Sequence, residues 1–319
     1  MKKCFYALLS AILCLAAIIT ATGCTLLEEK IGGGSESSSD YIGTGSNTDG
    51  TIDATEKKTE KKTEKKTEKK TEKTTDKQTE KNTEKQTEKT SLTLTFASYN
   101  IYHGGNNSDL KKIAANIKDN GIDVVGLQEV DNGTKRSGKI NQAKRLSELT
   151  GLQYYHFFKA IDHDGGQYGL AILSRYPIES SNKISLPSGT AEQRVLGHCI
   201  INAEGEKINF FVTHLSYDGE GGGSSRSKQF SEVAKELAKY DNFVLSGDFN
   251  TRNLDEYSVI ADSLLVNSKE DTRVTYPDGN SPLDNLVYSA SAWKFGEINV
   301  ITQSYSDHYM IYSKAIYKK

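Results

Sequence analysis

The chain has 319 residues, with 40 Lys and Arg against 42 Asp and Glu, a formal net charge of −2 and a sequence pI of about 6.3. This balance excludes the overall basic charge that nucleic-acid-binding domains usually carry. Apolar residues are scarce between the leader and residue 92, which favours one large domain over two. Of the four cysteines only Cys199 follows residue 24, so the folded part holds no internal disulfide. Its apolar neighbours predict that Cys199 is buried and not a nucleophile.

Residues 1–23 have the pattern of an export signal. Lys2 and Lys3 precede an apolar run, and small residues follow it in the segment Ala21-Thr22-Gly23-Cys24. That segment resembles a bacterial lipoprotein lipobox, which implies acylation of Cys24; an ordinary signal peptide cut after Gly23 is the alternative. The apolar run is shorter than the roughly 20 residues of a membrane-spanning helix. We therefore expect an exported protein, anchored through its N-terminal lipid to the outer face of a bacterial membrane.

Residues 24–91 are predicted to be a disordered tether. They consist mainly of Gly, Ser, Thr, Lys and Glu, with a four-residue Thr-Glu-Lys-Lys repeat that begins at Thr55. This composition supplies no apolar core. A helix is the alternative, but the repeat would place Glu56 and Glu60 at i,i+4, where like charges repel each other. The folded domain is therefore expected in residues 92–319.

The elements of this domain are predicted from apolar periodicity, in chain order. Alternation from Leu92 predicts a first strand that stops at Asn100, and a helix follows from Ser108 to just before Gly121. A second helix ends at Gly151, and a third covers 230–237. Further strands are predicted at 122–127, 153–160, 169–174, 194–203, 207–213, 243–246, 283–288 and 309–313.

The order of these elements predicts the fold class. Strands outnumber helices and partly form hairpins, for example across Glu204-Gly205-Glu206, with helices inserted between strand pairs. A doubly wound parallel sheet would need a more regular alternation of strand and helix. The sequence therefore predicts a mixed α/β sandwich.

Five short polar clusters follow apolar strands, where loops on a rigid sheet commonly carry catalytic groups. They are Ser98-Tyr99-Asn100, Gln128-Glu129-Val130-Asp131, Thr213-His214-Leu215, Gly247-Asp248-Phe249-Asn250 and Ser306-Asp307-His308. Carboxylate and amide oxygens suit a hard cation such as Mg²⁺ or Mn²⁺, whereas a zinc site would usually add Cys or paired His ligands. A hard cation can neutralise charge on phosphoryl oxygens while a carboxylate activates water. The clusters therefore predict hydrolysis of phosphate esters.

The order of these motifs, together with Gly169-Leu170-Ala171-Ile172-Leu173-Ser174-Arg175 and Leu283-Asp284, resembles the endonuclease/exonuclease/phosphatase superfamily, also called deoxyribonuclease-I-like. The resemblance covers about residues 92–319. It implies a four-layer α/β sandwich in which two packed mixed β-sheets are flanked by helices. It also implies that Glu129 is the principal metal ligand, with Asn100 and Asp307 nearby. Asp248 would orient or deprotonate the attacking water, and Asn250 would help to place it.

The same resemblance implies roles for the remaining candidates. His308 and His214 would stabilise the transition state, and Asp284 would hold His308 in the required tautomer. Tyr168 and Arg194 are further candidates for contacts with phosphate. Where the superfamily usually has an aromatic residue beside the aspartate, this chain has Asn285.

The substrate stays open at this stage. From residue 92 onward the chain has 24 Lys and Arg against 27 Asp and Glu, so the domain is mildly acidic, which weakens the case for tight nucleic-acid binding. We expect a monomeric phosphodiesterase or phosphatase that acts outside the cell on a small phosphodiester, a phospholipid headgroup or nucleic acid. An extracellular nuclease is the alternative with the same chemistry. A catalytically inactive binding lipoprotein is the alternative from another class.

Overall fold

A computed structural model describes residues 91–104, 107–220, 225–303 and 305–318. The predicted signal peptide at 1–23, the lipidation site at Cys24 and the predicted tether up to residue 90 lie outside the described residues. Among those that are described, no helix combines the length and apolar content required to cross a membrane.

The described residues form twelve strands, three α-helices and two short 3₁₀-helices, Tyr102–Gly104 and Leu254–Val259. The strands are β1 Thr93–Asn100, β2 Val124–Asn132, β3 Tyr154–His163, β4 Gly166–Ser174, β5 Ile178–Ser185, β6 Val195–Ala203, β7 Glu206–His214, β8 Phe243–Asp248, β9 Ser263–Leu265, β10 Asp284–Ser289, β11 Trp293–Ile301 and β12 Met310–Tyr317. The α-helices are α1 Asn107–Asp119, α2 Gln142–Thr150 and α3 Ser225–Leu237.

Each predicted strand and helix is present, and three strands were not predicted. The unpredicted strands are β5, β9 and β11. Most residues of β5 are exposed, and β11 is only partly buried, so neither carries a regular apolar alternation. The three-residue β9 is too short for such a pattern. These strands form through pairing with their neighbours, β6, β10 and β12, rather than through local periodicity.

The strands form two six-stranded sheets with the same internal arrangement. The first has the order β11-β12-β1-β2-β4-β3, and the second has the order β5-β6-β7-β8-β10-β9. In each sheet one central pair is parallel, β1 with β2 and β7 with β8. Antiparallel strands flank both pairs, as in β12 with β1 and β10 with β8. Since parallel strands end at a common edge, each sheet places two strand ends side by side.

Three hydrophobic clusters show how the layers pack. The largest lies between the sheets and includes Phe96 and Ile172 of the first sheet with Phe210 and Leu286 of the second. A second cluster joins the first sheet to α1 and α2, and a third joins the second sheet to α3. The layer order is therefore helices, sheet, sheet, helix, which confirms the predicted four-layer α/β sandwich with two packed mixed sheets.

The two sheets approach each other closely beside the central strands. A Cβ atom on Gly126 of β2 would lie 1.8 Å from the Ser246 Oγ of β8, so only glycine fits at this position. Cys199 of β6 lies fully buried in the cluster between the sheets, and burial raises the pKa of its thiol to about 12. The thiol is therefore protonated at neutral pH, as expected of a core residue.

Candidate functional site

The central strands of both sheets end at one cleft of about 550 Å³. Asn100 ends β1, His214 ends β7 and Asp248 ends β8. A hydrogen bond of 3.0 Å from Asn100 Nδ2 to Asp248 Oδ2 joins the two sheets at this edge. Seven of the ten candidate residues within the described part line the cleft: Glu129, Arg194, His214, Asp248, Asn250, Asp307 and His308. Asn100 and Asp284 do not line the cleft but hydrogen-bond to residues that do. Asn100 bonds to Glu129 and Asp248, and Asp284 bonds to His308.

Asp248 lies at the centre of the site and is surrounded by donors. Its Oδ2 accepts the hydrogen bond from Asn100 and lies 3.5 Å from His214 Nε2 and 3.6 Å from His308 Nε2. Its Oδ1 accepts a hydrogen bond of 2.9 Å from the backbone N–H of Asn250. Burial raises the pKa of this carboxyl above its usual range, although nearby His308 acts in the opposite direction. Asp248 is therefore a better proton acceptor than an ordinary aspartate.

His308 and Asp284 form a buried hydrogen-bonded pair. His308 Nδ1 lies 2.7 Å from Asp284 Oδ2, so the predicted contact is present. Asp284 begins β10 directly opposite Asp248 on β8, which brings both carboxylates to the same imidazole. Burial alone would lower the pKa of His308, but Asp284 and then Asp248 outweigh it and raise the pKa well above the usual value. His308 is therefore a cation that faces the cleft through Nε2.

Glu129 reaches the cleft because β2 bulges at that point. The pairing register of β2 with β4 shifts between Leu127 and Val130, and Glu129 has φ of 58°. A non-glycine residue in this left-handed region is strained by about 1 to 2 kcal/mol, and bulges of this kind often redirect a side chain at a functional site. The Glu129 Oε1 accepts a hydrogen bond of 3.1 Å from Asn100 Nδ2. Burial and the nearby Asp307 raise the pKa of Glu129, while the Asn100 bond lowers it.

The donor set around Glu129 fits a hard divalent cation. Glu129 and Asp307 are two carboxylates close enough to raise the proton affinity of Glu129, and a cation between them would remove that repulsion. The amide of Asn100 turns its nitrogen toward Glu129 and Asp248, while its oxygen accepts a hydrogen bond from the Tyr102 N–H. Asn100 would therefore have to rotate its amide to offer an oxygen ligand.

A second group within the described residues has metal-ligand spacing, since ligand atoms of Asp248, Asp284 and His308 lie within 4.8 Å of one another. His308 and Asp284 already bond to each other through Nδ1 and Oδ2 at 2.7 Å. We assign this group to proton handling rather than to a metal ion.

His214 is held between the two further candidates Arg194 and Asn250. Arg194 Nη1 lies 3.2 Å from His214 Nδ1, and Asn250 Nδ2 lies 3.0 Å from His214 Nε2. Burial, followed by the positive charges of Arg194 and His308, lowers the pKa of His214 well below its usual value. His214 is therefore neutral, in contrast to His308.

Arg194 and Tyr168 were both predicted as phosphate contacts, and the structure places them differently. Arg194 lines the cleft, but its guanidinium is paired with Glu192 and Glu220, each at 3.1 Å. Tyr168 lies outside the cleft lining, beside a smaller neighbouring cavity, with the Arg136 guanidinium carbon 5.4 Å from its ring centre. This smaller cavity is also lined by Arg194 and His214, and burial together with the nearby Glu129 raises the pKa of Tyr168, so Tyr168 lies next to the cleft residues without lining the cleft itself.

Sequence reasoning missed several residues that line the cleft. The Tyr276 ring lies 5.0 Å from the His308 ring, and Arg252 and the exposed Tyr217 also line the cleft. Six of the seven arginines in the described residues have a carboxylate oxygen within 4.0 Å. The exception is Arg252, which donates to the Ser281 hydroxyl at 2.6 Å. Its position two residues after Asn250 was the one available signal.

Comparisons with known proteins identify a matching family model and similar solved structures. A model of the endonuclease/exonuclease/phosphatase family matches residues 97–308. Among solved structures, an endonuclease/exonuclease/phosphatase from Beutenbergia cavernae is 19% identical over 70% of this chain and 72% of its own, with a TM-score of 0.55. D. rerio TDP2 complexed with single strand DNA product is 19% identical over 70% of this chain and 98% of its own, with a TM-score of 0.56.

A third solved structure is the mannosyl-6-phosphatase of Bacteroides thetaiotaomicron. It is 16% identical over 70% of this chain and 99% of its own, with a TM-score of 0.53. A search of curated protein sequences found no match. At these identities the solved structures show a shared fold.

Proposed function

Because the chain belongs to the endonuclease/exonuclease/phosphatase family, we propose that it is a divalent-metal-dependent hydrolase of phosphate esters, acting as a phosphodiesterase or phosphatase. The observation that carries the proposal is the position of Asp248, a buried carboxylate with raised proton affinity between a cationic and a neutral histidine. One cleft then contains a base, Asp248, an acid, His308, and a neutral hydrogen-bond donor, His214.

In the proposed reaction Asp248 accepts a proton from a water molecule as its oxygen attacks phosphorus. Negative charge builds on the phosphoryl oxygens as the phosphorus–oxygen bond to the leaving group breaks. The electron pair of that bond passes to the leaving oxygen, which takes a proton from solvent water. His308 donates a hydrogen bond to that charge from Nε2, while Asp284 keeps the Nδ1 proton in place. His214 and Asn250, which also line the cleft, donate further hydrogen bonds to these oxygens.

Mg²⁺ or Mn²⁺ is the cofactor that the oxygen-rich donors favour, and Glu129 with Asp307 would hold it. When bound, the cation supplies charge neutralisation at a phosphoryl oxygen. The strain at Glu129 supports this assignment, because a left-handed non-glycine residue is retained only where the surrounding structure holds it.

The positive charge of Arg252 in the cleft lining suits an anionic substrate. Arg252 is exposed there without a carboxylate within 4.0 Å among the described residues, and the Ser281 hydroxyl orients its guanidinium. An arginine in this state is a ready partner for phosphate.

The decisive experiment is hydrolysis of bis-p-nitrophenyl phosphate by the purified full chain in EDTA, Mg²⁺ or Mn²⁺. We expect activity that EDTA abolishes and added metal restores, and that Glu129→Gln removes. Glu179→Gln is the matched control, because Glu179 pairs with Lys207 away from the cleft. The hydrolase proposal fails if neither the wild type nor any metal addition gives turnover and calorimetry detects no Mg²⁺ or Mn²⁺ binding; the inactive binding lipoprotein would then be favoured.

A nuclease is the second candidate, and two tyrosines in the cleft lining favour it. The exposed Tyr217 and the partly buried Tyr276 line the same cleft as Arg252, and aromatic rings in a cleft that also holds a cation can stack with bases. D. rerio TDP2, a structural neighbour, was solved with a single-stranded DNA product. A plasmid-nicking assay beside a panel of soluble phosphodiesters separates the two candidates: nicking without turnover of the small esters would assign the nuclease.

We also propose that the enzyme acts outside the cell, as a monomer attached to the membrane through a lipid on Cys24. The support is the sequence of the leader, with its apolar run and small residues before Cys24. Cys24→Ala should release the protein into the medium. Unchanged recovery in the membrane fraction would contradict the lipid anchor.

A further inference from the structure

Both ring nitrogens of His214 face N–H donors. Arg194 Nη1 lies 3.2 Å from Nδ1, and Asn250 Nδ2 lies 3.0 Å from Nε2. A neutral imidazole has one N–H and one lone pair, so it can accept from only one of these donors at a time. The tautomer of His214 therefore depends on which donor is the stronger and the more firmly held.

Of the two donors, Arg194 is the one held in place by ion pairs. Its side chain is buried and lies between Glu192 and Glu220, each at 3.1 Å. Glu220 is itself fixed, because its carboxylate accepts hydrogen bonds from the backbone N–H groups of Glu192 and Tyr217. A guanidinium has no acceptor atom, so the nitrogen that faces it must carry the lone pair.

Asn250 has another acceptor. Its Nδ2 donates to the Leu215 carbonyl oxygen at 2.9 Å, so it does not depend on His214 for a partner. Hydrogen bonds from a charged donor are roughly twice as strong as those from a neutral amide. In addition, Asp248 Oδ2 lies 3.5 Å from His214 Nε2 and favours a proton, rather than a lone pair, on that nitrogen.

We propose that Arg194 is a positioning residue that fixes His214 in the tautomer with its hydrogen on Nε2. In that tautomer His214 Nε2 and Asn250 Nδ2, which are 3.0 Å apart, are both hydrogen-bond donors, and both residues line the cleft. Two donors so close together have no acceptor in each other, and a single oxyanion placed before them can accept from both. This inference rests on the proposed function only for the identity of that oxyanion, a phosphoryl oxygen.

The tautomer is measured without substrate, so its outcome is independent of the hydrolase proposal. Long-range ¹H–¹⁵N spectra of the full chain distinguish a histidine with hydrogen on Nε2 from one with hydrogen on Nδ1, and a His214→Gln variant identifies the signals. We expect the Nε2–H form of His214 in the wild type. A wild type with hydrogen on Nδ1 overturns the proposal whatever the variants do.

The role of Arg194 is tested by removing its donor while keeping the buried charge balanced. The double variant Arg194→Met with Glu220→Gln removes one positive and one negative charge, and Glu220→Gln alone is its control. In the double variant we expect loss of the exclusive Nε2–H form and a kcat roughly ten- to hundredfold lower with little change in KM, as for other groups that orient a functional histidine. An unchanged Nε2–H form in the double variant would show that Arg194 does not set the tautomer.

Discussion

Asp248 gathers more polar contacts than any other carboxylate in the cleft, and its proposed role leads to a sharp prediction. Asp248→Asn preserves the shape of the side chain and an oxygen that can accept from Asn100, but removes the proton acceptor. We expect a loss in kcat/KM on the order of 10⁴-fold, with an unfolding midpoint close to that of the wild type. Asp241→Asn, at an exposed position, is the control. Retained activity in Asp248→Asn would assign water activation to another residue.

His308 gives a prediction that depends on pH. Since Asp284 and Asp248 raise its folded-state pKa above the unfolded value of about 6.5, protonated His308 stabilises the folded protein. This contribution is complete below the unfolded pKa and is lost as the pH rises through the folded-state pKa. Asp284→Asn should move the NMR titration of His308 to lower pH. A midpoint that stays in place would mean that Asp284 does not control this proton.

At the scale of residues, sequence reasoning identified most of the side chains that line the cleft but not the residues that surround them. The polar clusters after apolar strands placed Asn100, His214 and Asp248 correctly at strand ends, because strand ends are visible in a hydrophobic pattern. The surroundings of Arg194 were not visible, since Glu220 lies 26 positions away and only the fold brings the two side chains together. The unusual Asn285 is a buried packing residue whose side chain exchanges two hydrogen bonds with the backbone of Asn267.

Among the elements, the turn after β2 depends on one buried carboxylate. Asp131 accepts hydrogen bonds from Thr134 Oγ1 at 2.7 Å, from the Ser137 hydroxyl and from the Arg136 guanidinium at 2.8 and 2.9 Å. This turn directly follows Glu129, so its geometry supports the bulge that directs Glu129 into the cleft. The four bonds make Asp131 a structural residue.

Asp131→Ala should therefore destabilise the domain by about 3 to 5 kcal/mol, because it leaves buried hydroxyl groups and a guanidinium without their acceptor. Urea unfolding measures the change. Asp162→Ala is the matched control, since Asp162 pairs with Lys159 at the surface and should change stability by less than about 1 kcal/mol. Equal effects of the two variants would contradict the assigned role of Asp131.

The elements that sequence reasoning missed share a physical cause. Strand β5 is mostly exposed along Ile178–Ser185, so its residues carry no burial pattern for periodicity to reveal. Its position is set by antiparallel pairing with β6, a partner outside its own segment. Buried strands such as β8 were predicted because both faces are apolar and the pattern is local.

For the whole molecule, the separation of the two sheets sets the geometry of the cleft. Gly126 of β2 packs against Ser246 and Val212 of the second sheet, and an added Cβ would lie 1.8 Å and 2.9 Å from their side chains. Asn100 and Glu129 lie on one sheet and Asp248 on the other, so the distances between them depend on this contact.

Gly126→Ala should push the sheets apart, lower stability by about 1 to 3 kcal/mol and reduce kcat in the remaining folded protein. Gly296→Ala is the matched control, because its Cβ would meet only the Lys314 backbone oxygen at 3.8 Å. Thermal unfolding and turnover measured on both variants test the prediction. Full activity and stability in Gly126→Ala would show that the distance between the two sheets can increase without displacing the cleft residues.

The burial of Cys199 has a practical consequence for such measurements. It is the only cysteine after residue 24, and its protonated thiol lies between the sheets, out of reach of solvent. A thiol-specific reagent can modify it only when the sandwich opens. The rate of the slow labelling phase therefore measures how often the two sheets separate under native conditions, without denaturant or substrate.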